Sequence, residues 1–229
     1  MECKLLEVTR IGLTNAGIMD LPEEFRPQPG QYLPCQKDEY LESVNLFRVF
    51  SRGEASLPPT LAPLPESWQP GDMIAVAAPH GRGFTLPGTA RRIGLLTFSQ
   101  SPLRLLSLVG PALSQNAALS LFGESPIHSD VLAQLPASVE VAPLSSLAEN
   151  LDWPEVVFVD ILRDEIEALS QFLGERQVSF DGQVLIHTQM PCRGMGECGI
   201  CAVKTRRGRR LACADGPVFP LKEVLNVAQ

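Results

Sequence analysis

The chain lacks several features that mark large functional classes. Its 229 residues contain no apolar run near the length that a membrane span needs, and the start, Met1-Glu-Cys-Lys, does not have the form of a secretory signal. Basic residues are outnumbered, 19 against 26 acidic ones, for a net charge of −7. A protein that binds nucleic acid over its whole surface usually has the opposite balance. We therefore expect a cytoplasmic protein with neither a membrane nor a nucleic acid as partner.

Groups for acid–base or nucleophilic catalysis are also scarce. The three histidines, His80, His128 and His187, stand alone and show no metal-ligand spacing. For His80, which lies in a loop, solvent exposure is favoured over a cofactor contact. No Ser–His–Asp set and no carboxylate pair stands out, so hydrolysis has no support. We predict no catalytic residue on this chain.

What the chain does have is a concentration of cysteine near its C-terminal end. Four of six cysteines fall within 22 residues, with the spacing C-x5-C-x2-C-x11-C. Three close thiols and one remote thiol resemble the ligation of a plant-type [2Fe–2S] cluster. Glycines alternate with them and permit a loop to wrap an anionic cluster, with N–H groups turned toward the sulfurs. The predicted metal ligands are Cys192, Cys198, Cys201 and Cys213.

Two other uses of these cysteines have to be weighed. A structural zinc ion accepts four thiolates, but such sites usually present two short C-x2-4-C pairs, and only Cys198 and Cys201 form one here. Disulfides are disfavoured because reducing compartments keep thiols free. Cys3 and Cys35 are expected to pack as small apolar residues. The cluster is the preferred interpretation, and zinc is the alternative.

Positive charge is concentrated between the last two cysteines of the motif. Five basic residues and no acidic one lie there, namely Lys204, Arg206, Arg207, Arg209 and Arg210. A solvated hairpin tip over 205–210 explains them without any function. The alternative is a docking patch for an acidic redox partner close to the cluster.

The order of apolar segments divides the chain into three parts. Residues 1–89 read as short strands separated by turns, which predicts a small antiparallel β-barrel. In residues 90–185 apolar strands alternate with helical patterns, which predicts a Rossmann-like parallel α/β domain. The cysteine segment, 186–229, forms a small third domain. A proline-rich stretch at 57–65 is predicted to be an irregular surface loop.

The cysteine segment resembles one known family closely. Met190-Pro-Cys-Arg-Gly-Met-Gly-Glu-Cys-Gly-Ile-Cys201 and Cys213-Ala-Asp-Gly-Pro-Val-Phe219 are similar to the cluster motifs of the electron-transfer subunit of dihydroorotate dehydrogenase. Arg193 is an insertion, since that family has four residues between the first two cysteines. The barrel, sheet and cluster order is also the layout of the ferredoxin-reductase-like flavoproteins to which the subunit belongs. The resemblance implies a divergent member of that family.

The resemblance also implies a site for FAD in the barrel. Arg48-Val49-Phe50-Ser51 is similar to the family strand whose arginine pairs with the flavin pyrophosphate, whose third residue packs on the ring, and whose serine bonds its polar edge. The loop 79–87 and Pro29-Gly-Gln-Tyr32 also match family motifs. One family element, a strand and glycine–threonine turn, is replaced by the proline-rich stretch. The implied contacts are Arg48, Phe50, Ser51, Gly81, Gly83 and Phe84.

The family's nicotinamide motifs are missing. Its glycine-rich phosphate loop is replaced by Thr97-Phe-Ser-Gln-Ser-Pro102, and its C-G-P-x-x-M motif by Val159-Asp-Ile-Leu-Arg-Asp164. Side chains at these positions would fill the space that phosphates need. We predict that NAD(P) does not bind.

Together these features predict an electron-transfer subunit of a hetero-oligomer. Electrons would pass through a [2Fe–2S] cluster, with FAD splitting or collecting pairs, to or from a partner oxidoreductase such as dihydroorotate dehydrogenase that holds the substrate site. The alternative is a non-redox interaction protein in which the four cysteines hold a structural zinc ion.

Overall fold

The structure is a computed structural model that describes residues 1–37, 43–49, 58–98, 101–124, 126–174, 180–192 and 194–225. In the described part of the chain no helix is long and apolar enough to cross a membrane. The predicted fold class is confirmed: an antiparallel barrel, a mainly parallel sheet with helices, and a small C-terminal segment follow one another.

The N-terminal part is a closed six-stranded barrel with the order β1-β2-β5-β4-β3-β6. Every pairing is antiparallel, and alternating side chains fill the barrel interior, as in the buried and exposed alternation of β6. Cys3 and Cys35 lie in that interior, as predicted for small apolar residues. The strands are β1 (Glu2–Ile11), β2 (Thr14–Met19), β3 (Tyr32–Gln36), β4 (Val44–Arg48), β5 (Thr60–Ala62) and β6 (Met73–Val76).

The proline-rich stretch contributes one of these strands. The short strand β5 pairs with both β2 and β4, and Leu61 and Ala62 are buried. The expectation of an irregular loop is therefore wrong for these three residues. Three residues between prolines are too few to show a strand pattern, and their place is set by the neighbouring strands.

The central part is a six-stranded sheet with the order β14-β11-β10-β7-β8-β9, in which only β14 is antiparallel. Its first parallel strand, β7, lies between β8 and β10, so the chain reverses direction across the sheet at β7. The strands are β7 (Arg92–Thr97), β8 (Ala118–Gly123), β9 (Val139–Pro143), β10 (Val156–Leu162), β11 (Asp181–His187) and β14 (Val218–Pro220).

Short helices connect these strands. The first two α-helices are separated only by residues 107 and 108, and a 3-10 turn at Arg163–Glu165 precedes the last helix of this part. The α-helices are α1 (Leu103–Leu106), α2 (Val109–Ser114), α3 (Ser129–Leu132), α4 (Leu144–Glu149) and α5 (Ile166–Gly174).

The cysteine segment is built into the rest of the molecule. It forms the hairpin β12 (Ala202–Thr205) and β13 (Gly208–Leu211), then β14 and the helix α6 (Leu221–Val224). One apolar cluster includes Tyr32 and Phe47 of the barrel, Val184 of the sheet, and the thiol-bearing residues Cys192 and Cys201. The position of the cysteine loop is therefore fixed by all three parts.

Candidate cluster site and its surroundings

The four predicted ligands come together around one loop. Cys192 follows β11, Cys198 and Cys201 precede β12, and Cys213 follows β13. The Cys201 and Cys213 sulfurs are 3.2 Å apart, the Cys192 and Cys213 sulfurs are 3.9 Å apart, and the Cys198 thiol hydrogen-bonds to Cys192. Cys198 is exposed, whereas the other three are buried.

These contacts are pairwise. Among the described residues no group of three or more His, Cys, Asp or Glu side chains is arranged to hold a single metal ion. A tetrahedral metal with bonds of about 2.3 Å would hold thiolates about 3.8 Å apart. The 3.9 Å separation of the Cys192 and Cys213 sulfurs is close to this value, and the 3.2 Å separation of the Cys201 and Cys213 sulfurs is shorter. The donor set of four thiols with one on the surface suits metal–sulfur chemistry near a protein's exterior.

Glycines give the loop its curvature. Gly194, Gly196 and Gly199 have φ of 91°, 74° and 70°, in the left-handed region that side chains disfavour. The N–H groups of Gly194 and Gly196 consequently donate to the Cys192 sulfur, and the Cys213 N–H donates to Cys201 Sγ over 3.4 Å. This is the backbone arrangement that the spacing of glycines predicts.

Hydrogen bonds and burial shift the pKa values of Cys192 and Cys213 in opposite directions. Burial would raise the pKa of Cys192, but the N–H groups of Gly196 and Gly194 and the thiols of Cys198 and Cys213 together lower it to about 7. For Cys213 the balance is the opposite, because burial followed by the Cys201 thiol raises its pKa to about 12. A bound cation would favour the thiolate form of both.

The barrel supplies one wall of the site. The Tyr32 hydroxyl donates to the Cys213 carbonyl over 2.9 Å, and burial together with the nearby Cys213 thiol raises the Tyr32 pKa. The His80 ring packs edge-on against Tyr32, with centroids 5.9 Å apart, and lies directly against Gly194. His80 is therefore partly buried on the cysteine loop, and the expectation of simple solvent exposure is wrong. The sequence offered only the Pro29-Gly-Gln-Tyr32 motif as a sign of this role for Tyr32.

The loop of residues 81–84, predicted to contact flavin, is packed mainly on protein. A Cβ on Gly81 would lie 2.6 Å from the Gly216 carbonyl oxygen, and one on Gly83 would lie 2.7 Å from the Pro29 carbonyl oxygen. Phe84 packs edge-on against Phe158, with centroids 5.3 Å apart. The two glycines therefore permit close approach of protein backbone, which ties this loop to the cysteine segment.

Three buried polar atoms surround β4. Among the described residues, the buried side-chain nitrogen and oxygen atoms without a hydrogen-bond partner are Asn45 Oδ1, Arg48 Nε and His187 Nδ1. Asn45 and Arg48 lie on β4, and the His187 ring packs edge-on against Phe47 between them, at 5.9 Å. Burial, then the charge of Arg26, lowers the pKa of Arg48. Phe50 and Ser51, which are also predicted flavin contacts, lie outside the described residues.

The crevice of the sheet contains an ion pair that sequence reasoning missed. Arg104 of α1 and Asp160 of β10 form a two-pronged contact, with Nε 3.0 Å from both carboxylate oxygens and Nη2 3.0 Å from Oδ1. Asp160 is fully buried, and the Arg104 guanidinium lies 5.8 Å from the centre of the Phe47 ring. The pair occupies the carboxyl ends of β10 and β7, the switch point at which doubly wound sheets bind ligands. In the nearby segment 97–102, residues 99 and 100 lie outside the described part of the chain.

Residues 187–225 match the family model described as the iron-sulfur cluster binding domain of dihydroorotate dehydrogenase B. The chain is 25% identical over 202 residues to "Dihydroorotate dehydrogenase B (NAD(+)), electron transfer subunit" of Desulforamulus reducens, covering 79% of this chain and 73% of that protein. The resemblance predicted from the cysteine motifs is thereby confirmed.

Solved structures extend the likeness to the whole fold. The NADH-dependent reduced ferredoxin-NADP oxidoreductase of flavin-based electron bifurcation superposes with a TM-score of 0.73 at 15% identity, over 96% of this chain and 88% of that one. The ferredoxin reductase of carbazole 1,9a-dioxygenase gives 0.61 at 14% identity, over 78% of this chain and 66% of that one. The ferredoxin-reductase-like architecture is therefore confirmed.

Proposed function

We infer that this chain, a divergent relative of the electron-transfer subunits of dihydroorotate dehydrogenase B, passes electrons through a [2Fe–2S] cluster to or from a catalytic partner subunit. The observation that carries the proposal is the series of pairwise thiol contacts that links Cys192, Cys198, Cys201 and Cys213, within the segment that matches the cluster-binding family. No catalytic residue is assigned to this chain, so the substrate site belongs to the partner.

The four cysteines would hold the cluster, and the cluster supplies one-electron chemistry. The backbone N–H groups of Gly194, Gly196 and Cys213 donate to sulfurs and so stabilise added negative charge. Tyr32 holds the Cys213 carbonyl in place from the barrel side, and Cys198 gives the site an exposed edge. The protein thus keeps one side of the site dry and the other open to a partner.

FAD fits the surroundings of β4. A flavin carries phosphates and a ring with polar edges, and buried, unpartnered atoms on Asn45, Arg48 and His187 are suited to such groups. Arg48 is the proposed phosphate anchor, and Phe50 and Ser51 are the further proposed contacts. The loop containing Gly81, Gly83 and Phe84 would border the flavin on the side of the cysteine segment. This loop is hydrogen-bonded to that segment through the Arg82 N–H and the Gly216 carbonyl.

A nicotinamide dinucleotide, by contrast, does not suit the sheet crevice. The Arg104 and Asp160 side chains lie where the cofactor pyrophosphate and nicotinamide of a doubly wound sheet would need space. Opening that crevice would separate a buried ion pair, which costs several kcal/mol. We propose that electrons are exchanged with protein partners and that NAD(P)H does not bind.

We also propose the division into a flavin-type barrel at 1–89, an α/β domain at 90–185 and a cluster domain at 186–229. A cytoplasmic location suits the site, because the ligand thiols must stay reduced to take up iron. Pyrimidine biosynthesis is the pathway that the relative's name suggests.

Anaerobic purification of the natively expressed, tagged protein tests this function. We expect a coloured complex that contains a second, oxidoreductase subunit, and a cluster that substrate of that subunit reduces. The rival function, an interaction protein with structural zinc, predicts a colourless protein with one zinc per chain. If the purified protein is colourless and holds one zinc per chain, the redox proposal is wrong and the zinc-binding interaction protein takes its place.

A further inference from the structure

Two arginine side chains donate hydrogen bonds to backbone carbonyls of the cysteine loop. Arg163, from the start of the 3-10 turn before α5, donates from Nη1 to the Ile200 carbonyl over 2.7 Å. Arg209 of β13 donates from Nη2 to the Gly199 carbonyl over 3.2 Å. Both carbonyls lie between the ligand residues Cys198 and Cys201. Two guanidinium groups are therefore held beside the proposed cluster.

Lys204 is a third cation in this region, and its position opposite Arg209 destabilises the hairpin. In the β12–β13 hairpin Lys204 is directly opposite Arg209, and both side chains are exposed. Like charges in directly opposed cross-strand positions destabilise a hairpin. Among the described residues neither side chain makes an ion pair, whereas the neighbouring Arg207 and Arg210 are paired with Glu223 and Asp215. The hairpin thus keeps its uncompensated charge on one particular face.

These three cations surround an open groove of about 580 Å³, which we call the cationic groove; its described lining contains no acidic residue. The cysteine loop exposes Ile200, which lines the groove, and Met195, with 46% and 66% of their surface accessible. Arg163 Nε also lies 3.6 Å from Asp164 Oδ1. An adjoining depression, which shares Arg163 and Lys204 with the groove, contains the acidic residues Asp164 and Glu167. The groove is lined by Arg163, Gly199, Ile200, Ala202, Val203, Lys204, Thr205, Gly208 and Arg209.

We propose that the cationic groove docks an acidic surface of the protein that exchanges electrons with the cluster. This proposal rests on the proposed function and adds the place and chemistry of docking. The rest of the chain is strongly acidic, so the groove is the feature that would orient an acidic partner toward Cys198. Fixed cations speed such encounters at low salt, while the exposed apolar residues supply contact area.

Stopped-flow mixing with reduced flavodoxin, an acidic protein with a visible flavin, tests the proposal. One electron passes from the flavodoxin hydroquinone to the oxidised cluster, so the flavin absorbance reports the rate. We expect the double substitution Lys204→Glu with Arg209→Glu to lower the second-order rate roughly tenfold or more at low salt, and the difference to shrink in high salt.

The matched control is Lys4→Glu with Arg10→Glu, an equal charge change on exposed residues of the barrel. The control is expected to change the rate less than about twofold. Equal rates for the groove variant and the control, with cluster absorbance retained in both, would overturn the docking site. If the groove variant loses its cluster, Lys204→Gln with Arg209→Gln replaces it, and a smaller decrease of the same salt dependence is expected. Wild-type protein without iron would refute the proposed function itself.

Discussion

Gly194 shows how closely the barrel approaches the cysteine loop. Its φ of 91° is unfavourable for other residues, and a Cβ there would overlap Cδ2 of His80. Position 208 has a φ of 95° but open space around it, so the two glycines share a backbone conformation and differ in their neighbours. Substitutions at the two positions therefore distinguish the effect of backbone strain from that of a clash with the His80 ring.

We therefore expect Gly194→Ala to lose most of its bound iron, because both the backbone and the His80 ring would have to move. Gly208→Ala should keep its iron and lose only about 1 kcal/mol of unfolding free energy. Iron per chain and urea unfolding measure these effects. Normal iron content in Gly194→Ala would show that the loop tolerates displacement.

Arg48 is the residue on which the proposed flavin site depends. Replacing it with alanine removes the cation that would pair with the pyrophosphate, so bound FAD should be released on gel filtration while iron content is unchanged. Arg10→Ala, on the barrel surface, is the control that should retain FAD. Retention of FAD at wild-type affinity by Arg48→Ala would rule out this placement.

The residues that could be predicted from sequence are those whose role is local. Cysteine spacing and the intervening glycines specify a wrapped loop within a dozen residues, so Cys192, Cys198 and Cys201 could be identified together. Arg104 and Asp160 are 56 positions apart and belong to different elements. Their pairing depends on the order of strands in the sheet, which no local pattern encodes.

At the scale of elements, β4 and β11 are in contact through the rings of Phe47 and His187. Burial, helped by the charge of Arg104, lowers the pKa of His187 from 6.5 to about 4. The unfolded chain then binds a proton between these pH values that the folded chain does not. Folding stability should accordingly decrease as the pH falls from about 6.5 to 4.

The size of this loss is expected to be about 3 kcal/mol, since each pKa unit corresponds to about 1.4 kcal/mol. His187→Gln should flatten the pH dependence of the unfolding free energy in this range. His128→Gln is the control, because His128 lies on the surface beside Asp130 and its side chain is 47% exposed. An unchanged slope in His187→Gln would show that other groups cause the pH dependence.

The elements themselves were largely predictable, because apolar strands and turn signals alternate clearly along the chain. The interruption between α1 and α2 was not, since the leucines of 103–108 keep a helical spacing through it. The pairing of β14 with β11 was also hidden, as β14 has only three residues and its partner lies more than thirty positions earlier. Short strands are placed by tertiary contacts rather than by pattern.

At the scale of the whole molecule, the three parts share an apolar core, so cluster, barrel and sheet should behave as one unit. Because the Arg104–Asp160 pair occupies the crevice of the sheet, we expect that no dinucleotide binds there. Calorimetric titration with NADH should give no binding in the micromolar range, because the Arg104–Asp160 pair occupies the switch point. Micromolar binding that Arg104→Ala alters would contradict this view of the crevice.

The central claim is that four cysteines bind a [2Fe–2S] cluster, and iron together with acid-labile sulfide in anaerobically purified protein tests it most directly. We expect about two iron and two sulfide per chain, as that cluster type requires, and loss of both in Cys213→Ser but not in Cys35→Ser, a cysteine of the barrel interior. One zinc per chain with no sulfide, or unchanged iron in Cys213→Ser, would contradict the claim.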